Sequence, residues 1–211
     1  EMPMREGQVL IRALLDDGHC VWVLHPHPHF VVYGRVNKAI LETGDKAGFY
    51  LRNQPEYVEG LAASFKARLT HVNVNYRYLD DELAYIIDNS DSTVVLYDVE
   101  FRENVERVRT RLEKVKLWVE VGGAGDTPDF ALDYNAIANS GDGAPLDIER
   151  SPDDLMFLYT GGTTGMPKGV MWSHRIWREA NLDGLRRIYG AAPETWEAHR
   201  DFVDEVGRHG R

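Results

Sequence analysis

The sequence predicts an α/β fold built on a mainly parallel sheet flanked by helices, and two observations support this prediction. From Lys46 onward, short apolar runs alternate with longer amphipathic stretches, which is the order expected of βαβ units. One of these runs, TVVLY at 93–97, is rich in β-branched residues, as buried strands usually are. With 211 residues, of which 43% are hydrophobic and 27% charged, the composition is that of a globular protein.

Each predicted element follows from its own local pattern. Helices are expected at Pro55–Ala67, from Asp80 or Asp81 to about residue 89, at about 101–114 and at about 130–139. Ser173 is expected to cap one more helix. Near the start of the chain, the patterns favour a helix at Val9–Leu15 and a strand at Cys20–Leu24. The other strands are expected at the apolar runs 47–51, 70–74, 93–97, 117–121, 155–159 and 169–172.

Changes in composition divide the chain into four parts. Residues 1–45 form an atypical N-terminal segment, and residues 46–139 form a βαβ subdomain. Residues 140–152 are a polar linker rich in glycine, proline and aspartate. Residues 153–211 are a strand–turn–helix segment that contains the glycine-rich string described below.

The overall charge limits the classes of partner. The chain has 24 Lys and Arg against 34 Asp and Glu, a formal net charge of -10, so it lacks the basic field that nucleic acid or an anionic membrane would need. A single cysteine, Cys20, cannot form an internal disulfide, which favours a reducing, cytoplasmic location. No apolar run approaches the length of about 20 residues that a membrane-spanning helix requires.

The apolar run 155–159 leads directly into TGGTTGMPKG, residues 160–169. Glycines let successive backbone N–H groups approach one anionic group, which suits phosphate. Hydroxyls at Thr163 and Thr164 add neutral donors and oxygens that can face a metal, and Lys168 adds a positive charge. The order Pro-Lys-Gly excludes the Walker phosphate loop, which has glycine before its lysine. Taken alone, such a string also fits a plain surface turn, so both interpretations stay open at this point.

Two other groups of residues have simpler interpretations. His25, His27 and His29 alternate with prolines, and no cysteine or carboxylate lies close in sequence to complete a tetrahedral set, so an exposed loop is favoured over a metal site. A run of arginines is interleaved with glutamates, which predicts a solvated helix face. These arginines are Arg102, Arg107, Arg109 and Arg111.

The full string YTGGTTGMPKG, residues 159–169, resembles the phosphate-binding loop of the adenylate-forming (AMP-binding) superfamily. This superfamily includes acyl-CoA synthetases, the adenylation domains of peptide synthetases and firefly-type luciferases. Phe157 through Lys168 satisfies the loop pattern at every position. Residues 53–98, especially VNVNYRY and DELAYIIDNSD, are similar to the N-terminal subdomain of the fatty-acyl-CoA synthetase branch. Gly161, where many relatives carry serine, also fits that branch.

The resemblance implies an ATP-dependent acyl-CoA synthetase of the medium- or long-chain fatty acid type, with the acyl-CoA synthetase/luciferase-like fold. Such an enzyme uses ATP, Mg²⁺ and CoA, and it forms an acyl-adenylate and then an acyl-CoA thioester. His174 is a candidate to lie near the nucleotide, although an ordinary capping or packing role is favoured for it. The residues implied to hold the ATP phosphates are Thr160, Gly161, Gly162, Thr163, Thr164, Gly165 and Lys168.

The chain also departs from the family pattern. Residues 5–33 match nothing in the family, and the adenine-binding motif and the adenylating lysine do not occur after Gly169, so no catalytic residue is assigned. Residues after Arg186 resemble a helical insertion. We therefore expect a partial N-terminal piece that folds marginally and cannot complete adenylation alone. Two alternatives stay open: an aryl-acid or amino-acid adenylating enzyme, and a non-catalytic nucleotide- or phosphate-binding fragment.

Overall fold

The described residues form a seven-stranded sheet with helices on both faces and a separate two-stranded sheet. The structure is a computed structural model that describes residues 11–16, 19–24, 41–139, 148–162, 165–190, 192–193, 195, 198 and 201–202, with backbone alone for 11–16 and 19–24. The three histidines at 25–29, residues 140–147 of the predicted linker and most of the sequence after 190 lie outside these residues. The predicted α/β fold with a mainly parallel sheet is confirmed.

The described strands are β1 (Ile11–Asp16), β2 (His19–Leu24), β3 (Lys46–Tyr50), β4 (Thr70–Asn73), β5 (Ser92–Asp98), β6 (Leu117–Val121), β7 (Ala131–Asp133), β8 (Leu155–Gly162) and β9 (Gly165–Ser173). The apolar runs predicted as strands are confirmed, with small changes in their limits. Within the larger sheet the strands lie in the order β7-β6-β5-β3-β4-β8-β9, and every neighbouring pair is parallel except β8 with β9. Strand β8 joins the sheet through β4, so the segment after residue 153 and the predicted βαβ subdomain share one sheet.

The described helices are α1 (Pro55–Lys66), α2 (Asp80–Asn89), α3 (Arg102–Val108), α4 (Tyr134–Ala138) and α5 (His174–Tyr189), and 3-10 turns flank α3 at 99–101 and 109–111. The helices cover both faces of the sheet because each has one apolar side. One face carries α1, which buries residues such as Ala62 against Phe49 and Leu96. The other face carries α2 and α3, which bury residues such as Ile86 and Val105.

Two helix predictions differ from the structure because strand pairing replaces helical hydrogen bonds. Residues Ile11–Asp16, which overlap the helix predicted at Val9–Leu15, form β1, which pairs antiparallel with β2. Residues Ala131–Asp133, in the helix predicted at 130–139, form β7 beside β6. Helix α4 then starts after Asp133, whose carboxylate accepts a hydrogen bond of 2.7 Å from the backbone N–H of Ala136. The strand predicted at Cys20–Leu24 is confirmed as β2.

Helix α1 lies unusually close to the sheet at Gly60. A Cβ atom at this position would lie 2.5 Å from Cε1 of Phe49 and 3.1 Å from Cδ2 of Leu96. Both side chains are fully buried in the core on this face. The absence of a side chain at Gly60 therefore sets how near the helix can approach β3 and β5.

The prediction of a solvated arginine face on α3 is wrong for one residue. Arg107 and Arg111 do form exposed ion pairs with acidic residues of α2. Arg102 instead donates hydrogen bonds of 2.7 and 2.8 Å to both carboxylate oxygens of Glu120, which is 0% exposed. A third bond, 3.1 Å long, joins Arg102 to Asp126. Arg102 turns inward because the buried carboxylate on β6 needs a positive partner.

Candidate functional site

The glycine-rich string that sequence analysis predicts to bind phosphate forms the hairpin between β8 and β9. Strand β8 pairs in parallel with β4 as far as Leu158, opposite Asn73, and then continues to Gly162. Strand β9 returns antiparallel, with Gly165 opposite Gly162. The hairpin therefore projects beyond the carboxyl end of β4, and this is the edge of a parallel sheet at which α/β proteins bind ligands. Residues Thr163 and Thr164 lie outside the described residues.

The structure brings Thr160 and Lys168 together on one face of the hairpin. Their Cα atoms are directly opposed across β8 and β9, and both side chains are exposed. Residues opposed in an antiparallel pair share a face, with Cβ atoms about 5 Å apart. Tyr159, one residue earlier, packs on the α2 side, so Thr160 and Lys168 face the α1 side. A hydroxyl and an ammonium group are thus presented side by side.

The backbone near Thr160 and Lys168 is open to approach at Gly161 and closely packed at Gly169. A Cβ atom at Gly161 would meet no atom of the described residues within 4 Å, so these residues leave room for an anion to approach that stretch of main chain. A Cβ atom at Gly169 would lie 3.1 Å from Cζ of Tyr159 and 3.3 Å from its hydroxyl oxygen. Gly169 is therefore needed for close packing, whereas Gly161 leaves space free.

The charge of the hairpin favours an anionic ligand. No acidic residue occurs between Tyr159 and Gly169. Lys168 makes no ion pair with any side chain in the part of the chain that the structure describes. Its ammonium group and the neighbouring backbone N–H groups can therefore act together on a phosphate without first displacing a carboxylate.

A second cationic group at the same edge of the sheet is already neutralised, and sequence analysis did not identify it. Arg52 follows β3 and forms a bidentate ion pair with Glu100, in which Nη2 and Oε2 are 3.0 Å apart. Its guanidinium carbon lies 4.7 Å from the ring centroid of Tyr76, just after β4. These contacts join residues far apart in sequence, so no local pattern indicates them. The carboxylate partner leaves Lys168 better suited than Arg52 to meet an incoming anion.

His174 lies far from the tip of the hairpin. It is the first residue of α5 and follows the β9 residue Ser173, which is opposite Leu155 at the start of β8. Strand β8 has 8 residues, which at about 3.3 Å per residue places this end roughly 23 Å from Gly162. The ring of His174 packs against Phe65 with centroids 4.1 Å apart. The structure therefore does not bring His174 together with the other candidate residues.

The capping prediction for the same segment is confirmed. The Ser173 hydroxyl accepts a hydrogen bond of 3.3 Å from the backbone N–H of Ile176. Helix α5 ends at Tyr189, and the next residue, Gly190, has a φ of 74° that suits glycine.

The described residues contain neither a cluster of metal-ligating side chains nor a membrane-spanning helix. No group of three or more His, Cys, Asp or Glu side chains there could hold a metal ion. Nor is any helix in the described ranges long and apolar enough to cross a membrane.

Comparison with known families assigns the class of protein. A family model described as "AMP-binding enzyme" matches residues 36–201. The match covers more than half of the chain, so the chain belongs to the AMP-binding enzyme family, as the resemblance of the 159–169 string predicts.

The curated relatives are CoA ligases, and each of them is a longer protein than this chain. Over 174 residues the chain is 44% identical to a 3-oxocholest-4-en-26-oate–CoA ligase of Rhodococcus rhodochrous, covering 79% of this chain and 31% of that protein. Over 130 residues it is 38% identical to the medium-chain acyl-CoA ligase Mig of Mycobacterium avium, covering 61% of this chain and 24% of that protein. The chain thus spans between about a quarter and a third of the length of these relatives.

Solved structures agree on the fold. An anthranilate CoA ligase in complex with anthranoyl-AMP superimposes with a TM-score of 0.71 at 21% identity, covering 87% of this chain and 35% of that chain. A long-chain-fatty-acid–CoA ligase from Archaeoglobus fulgidus gives a TM-score of 0.66 at 25% identity, covering 78% of this chain and 32% of that chain. The predicted acyl-CoA synthetase/luciferase-like fold is thereby confirmed for the matched part.

Proposed function

We propose that this chain is the phosphate-binding part of an ATP-dependent acyl-CoA synthetase. One observation carries the proposal: a hairpin at the carboxyl edge of the sheet presents Thr160 and Lys168 on one face, with no ion pair from Lys168 to any described side chain, in a chain that belongs to the AMP-binding enzyme family. The acid substrate we propose is a medium- or long-chain fatty acid, because curated relatives at 38–44% identity bear names of medium-chain or medium/long-chain acyl-CoA ligases or of a steroid-acid CoA ligase.

The proposed reaction has two steps. A fatty acid carboxylate attacks the α-phosphorus of ATP, forming an acyl-adenylate while pyrophosphate leaves. The thiol of CoA then attacks the acyl carbon, forming a thioester while AMP leaves. Negative charge builds up on the departing pyrophosphate in the first step, so positive charge and N–H donors fixed beside the β- and γ-phosphates lower the barrier.

In this proposal the hairpin residues bind and orient the phosphates. The Lys168 ammonium donates charge-assisted hydrogen bonds, and the Thr160 hydroxyl beside it donates a neutral one. The backbone N–H groups of Gly161, Gly162 and Gly165 complete the cradle, because their lack of side chains lets phosphate oxygens come close. The hydroxyls of Thr163 and Thr164 are proposed to act in the same cradle.

Magnesium fits this site only as the ion that accompanies ATP. Mg²⁺ is usually held by substrate phosphates together with one or two protein oxygens, and it supplies charge neutralisation when bound. The residues at the hairpin that would contact it are the threonines Thr160, Thr163 and Thr164, whose hydroxyl oxygens are the available neutral ligands.

Three further predictions belong to this proposal: a cytoplasmic location, the division of the chain into four parts, and the use of CoA.

ATP–pyrophosphate exchange tests the proposal. The assay uses the full natural reading frame that contains these 211 residues, with a panel of fatty and aryl acids. Lys168→Ala removes one charge-assisted contact, which is worth about 1.5–3 kcal/mol, so we expect exchange to fall by roughly 10- to 100-fold. Lys114→Ala is the matched control, because Lys114 is exposed and paired with Asp88 and Asp91.

The outcomes of this assay separate the candidate functions. Exchange that requires a fatty acid and falls in Lys168→Ala but not in Lys114→Ala supports the proposal. Exchange that requires an aryl acid instead points to an aryl-acid adenylating enzyme. A folded wild-type protein that gives no exchange with any acid contradicts adenylation and favours a phosphate-binding protein without turnover.

A further inference from the structure

The arm of the hairpin that carries Lys168 has different surroundings on its two faces. On the α1 side, Lys168 and Thr160 are exposed. On the α2 side, the next residue, Gly169, lies against the ring of Tyr159, where a Cβ atom would be 3.1 Å from Cζ and 3.2 Å from Cε2. An aromatic ring therefore backs the main chain directly beside Lys168.

Tyr159 is in turn held by helix α2. Its hydroxyl donates a hydrogen bond of 2.8 Å to Oδ1 of Asn89, the last residue of that helix. The ring packs against the core cluster on the same face. Burial raises the pKa of Tyr159 above its ordinary value of 10.0, so the phenol keeps its proton and donates at neutral pH. A continuous set of contacts thus runs from α2 through Asn89 and Tyr159 to Gly169.

On this arm Pro167 is buried, whereas Met166 and residues 168–171 are exposed. Among the described residues, β9 pairs with β8 alone and forms the edge of the sheet. The side chains of Met166, Val170 and Met171 are 44%, 41% and 66% exposed. An edge strand with one neighbour has half the ladder hydrogen bonds of a central strand, so side-chain contacts such as the ring behind Gly169 and the buried Pro167 matter more for holding its backbone.

We propose that Tyr159 is a positioning residue for Lys168, acting through Gly169 and anchored by Asn89. This inference rests on the proposed function, because the reason to hold Lys168 in place is the phosphate group that it would bind. Tyr159 does not touch the ligand; it limits the movement of the Cα atom of the residue next to the lysine. A lysine fixed before ATP arrives loses less conformational freedom on binding, which strengthens binding of ATP but not of the acid.

Tyr159→Phe tests the anchor because it removes only the hydroxyl. In the exchange assay on the full reading frame, we expect the KM for ATP to rise three- to tenfold, with the KM for the acid unchanged within twofold. Asn89→Ala should give the same rise, and the double variant should be no worse than either single one, because both remove one hydrogen bond. Gly169→Ala, which pushes the ring away, should also raise the KM for ATP.

Tyr134→Phe is the matched control. The Tyr134 hydroxyl donates a hydrogen bond of 2.6 Å to Glu59 on α1, so the substitution also removes a bond between elements but far from the hairpin. Both tyrosine variants should lower the melting temperature slightly, and only Tyr159→Phe should change the KM for ATP. Equal effects of the two variants on that KM, or no effect of Tyr159→Phe while the wild type exchanges normally, would overturn the inference alone. No exchange by the wild type would overturn the proposed function and the inference with it.

Discussion

Replacing Arg102 with leucine isolates a buried carboxylate. Glu120 is 0% exposed and accepts hydrogen bonds of 2.7 and 2.8 Å from Arg102. Without the guanidinium group its charge is paired with no cationic side chain among the described residues, and breaking such a buried pair costs about 3–5 kcal/mol. In a folding unit of about 200 residues, each kcal/mol lowers the melting temperature by about 2–4 °C, so we expect the transition that unfolds this sheet to fall by roughly 6–20 °C.

Two variants make this prediction specific. Arg107→Leu breaks a pair with Asp80 in which both side chains are about half exposed, so it should cost no more than about 1 kcal/mol. The double variant Arg102→Leu with Glu120→Leu removes both charges and should recover most of the lost stability. Thermal melts followed by tryptophan fluorescence on the full reading frame measure all three. A melting temperature for Arg102→Leu equal to that of Arg107→Leu would refute the reasoning.

Two further predictions concern pH and packing. His71 is buried, which lowers its pKa from 6.5 to about 3, so between those values the unfolded chain alone binds this proton and stability should fall as pH falls. Urea titrations at several pH values measure the free energy of unfolding. His71→Gln should reduce the slope of that free energy against pH by the equivalent of one proton, and equal slopes for the variant and the wild type would contradict the prediction. Gly60→Ala places a methyl group 2.5 Å from a ring carbon of Phe49 and should cost about 1–3 kcal/mol, whereas Gly184→Ala in α5, with nothing within 4 Å, should stabilise by about 0.5–1 kcal/mol. Thermal melts check both, and a Gly60→Ala protein as stable as the wild type would argue against close packing there.

Local patterns predicted most of the sheet. Strands such as β5 and β6 are apolar runs bounded by polar turns, and their residues carry enough information to identify them without their neighbours. The helix predicted at Val9–Leu15 is wrong because apolar residues over so short a length fit both the helical and the strand period. The Asp-Gly dipeptide at 17–18, between two apolar runs, is a sequence signal typical of β-hairpins that could have corrected this prediction.

Part of the candidate site could be predicted from contiguous residues, and part depends on contacts between residues far apart in sequence. The string 159–169 could be recognised because its residues are contiguous. Its connection to Asn89 could not, because that contact joins residues 70 positions apart. The inward turn of Arg102 did have a signal: Glu120 stands in the apolar run LWVEV, and a carboxylate in a buried strand calls for a cationic partner. No local pattern could indicate which arginine would pair with Glu120.

The hairpin between β8 and β9 has a consequence for how an anion would be held there. In many phosphate sites a glycine-rich loop opens directly into a helix, whose dipole and free N–H groups supply about half a positive charge. Here the glycine-rich string joins two antiparallel strands, and α5 begins only at His174, at the opposite end of β9. The string therefore does not lead directly into the N-terminus of a helix. In the proposed site, attraction for phosphate would come from the Lys168 ammonium group, local amides and threonine hydroxyls, so we expect binding there to be sensitive to ionic strength.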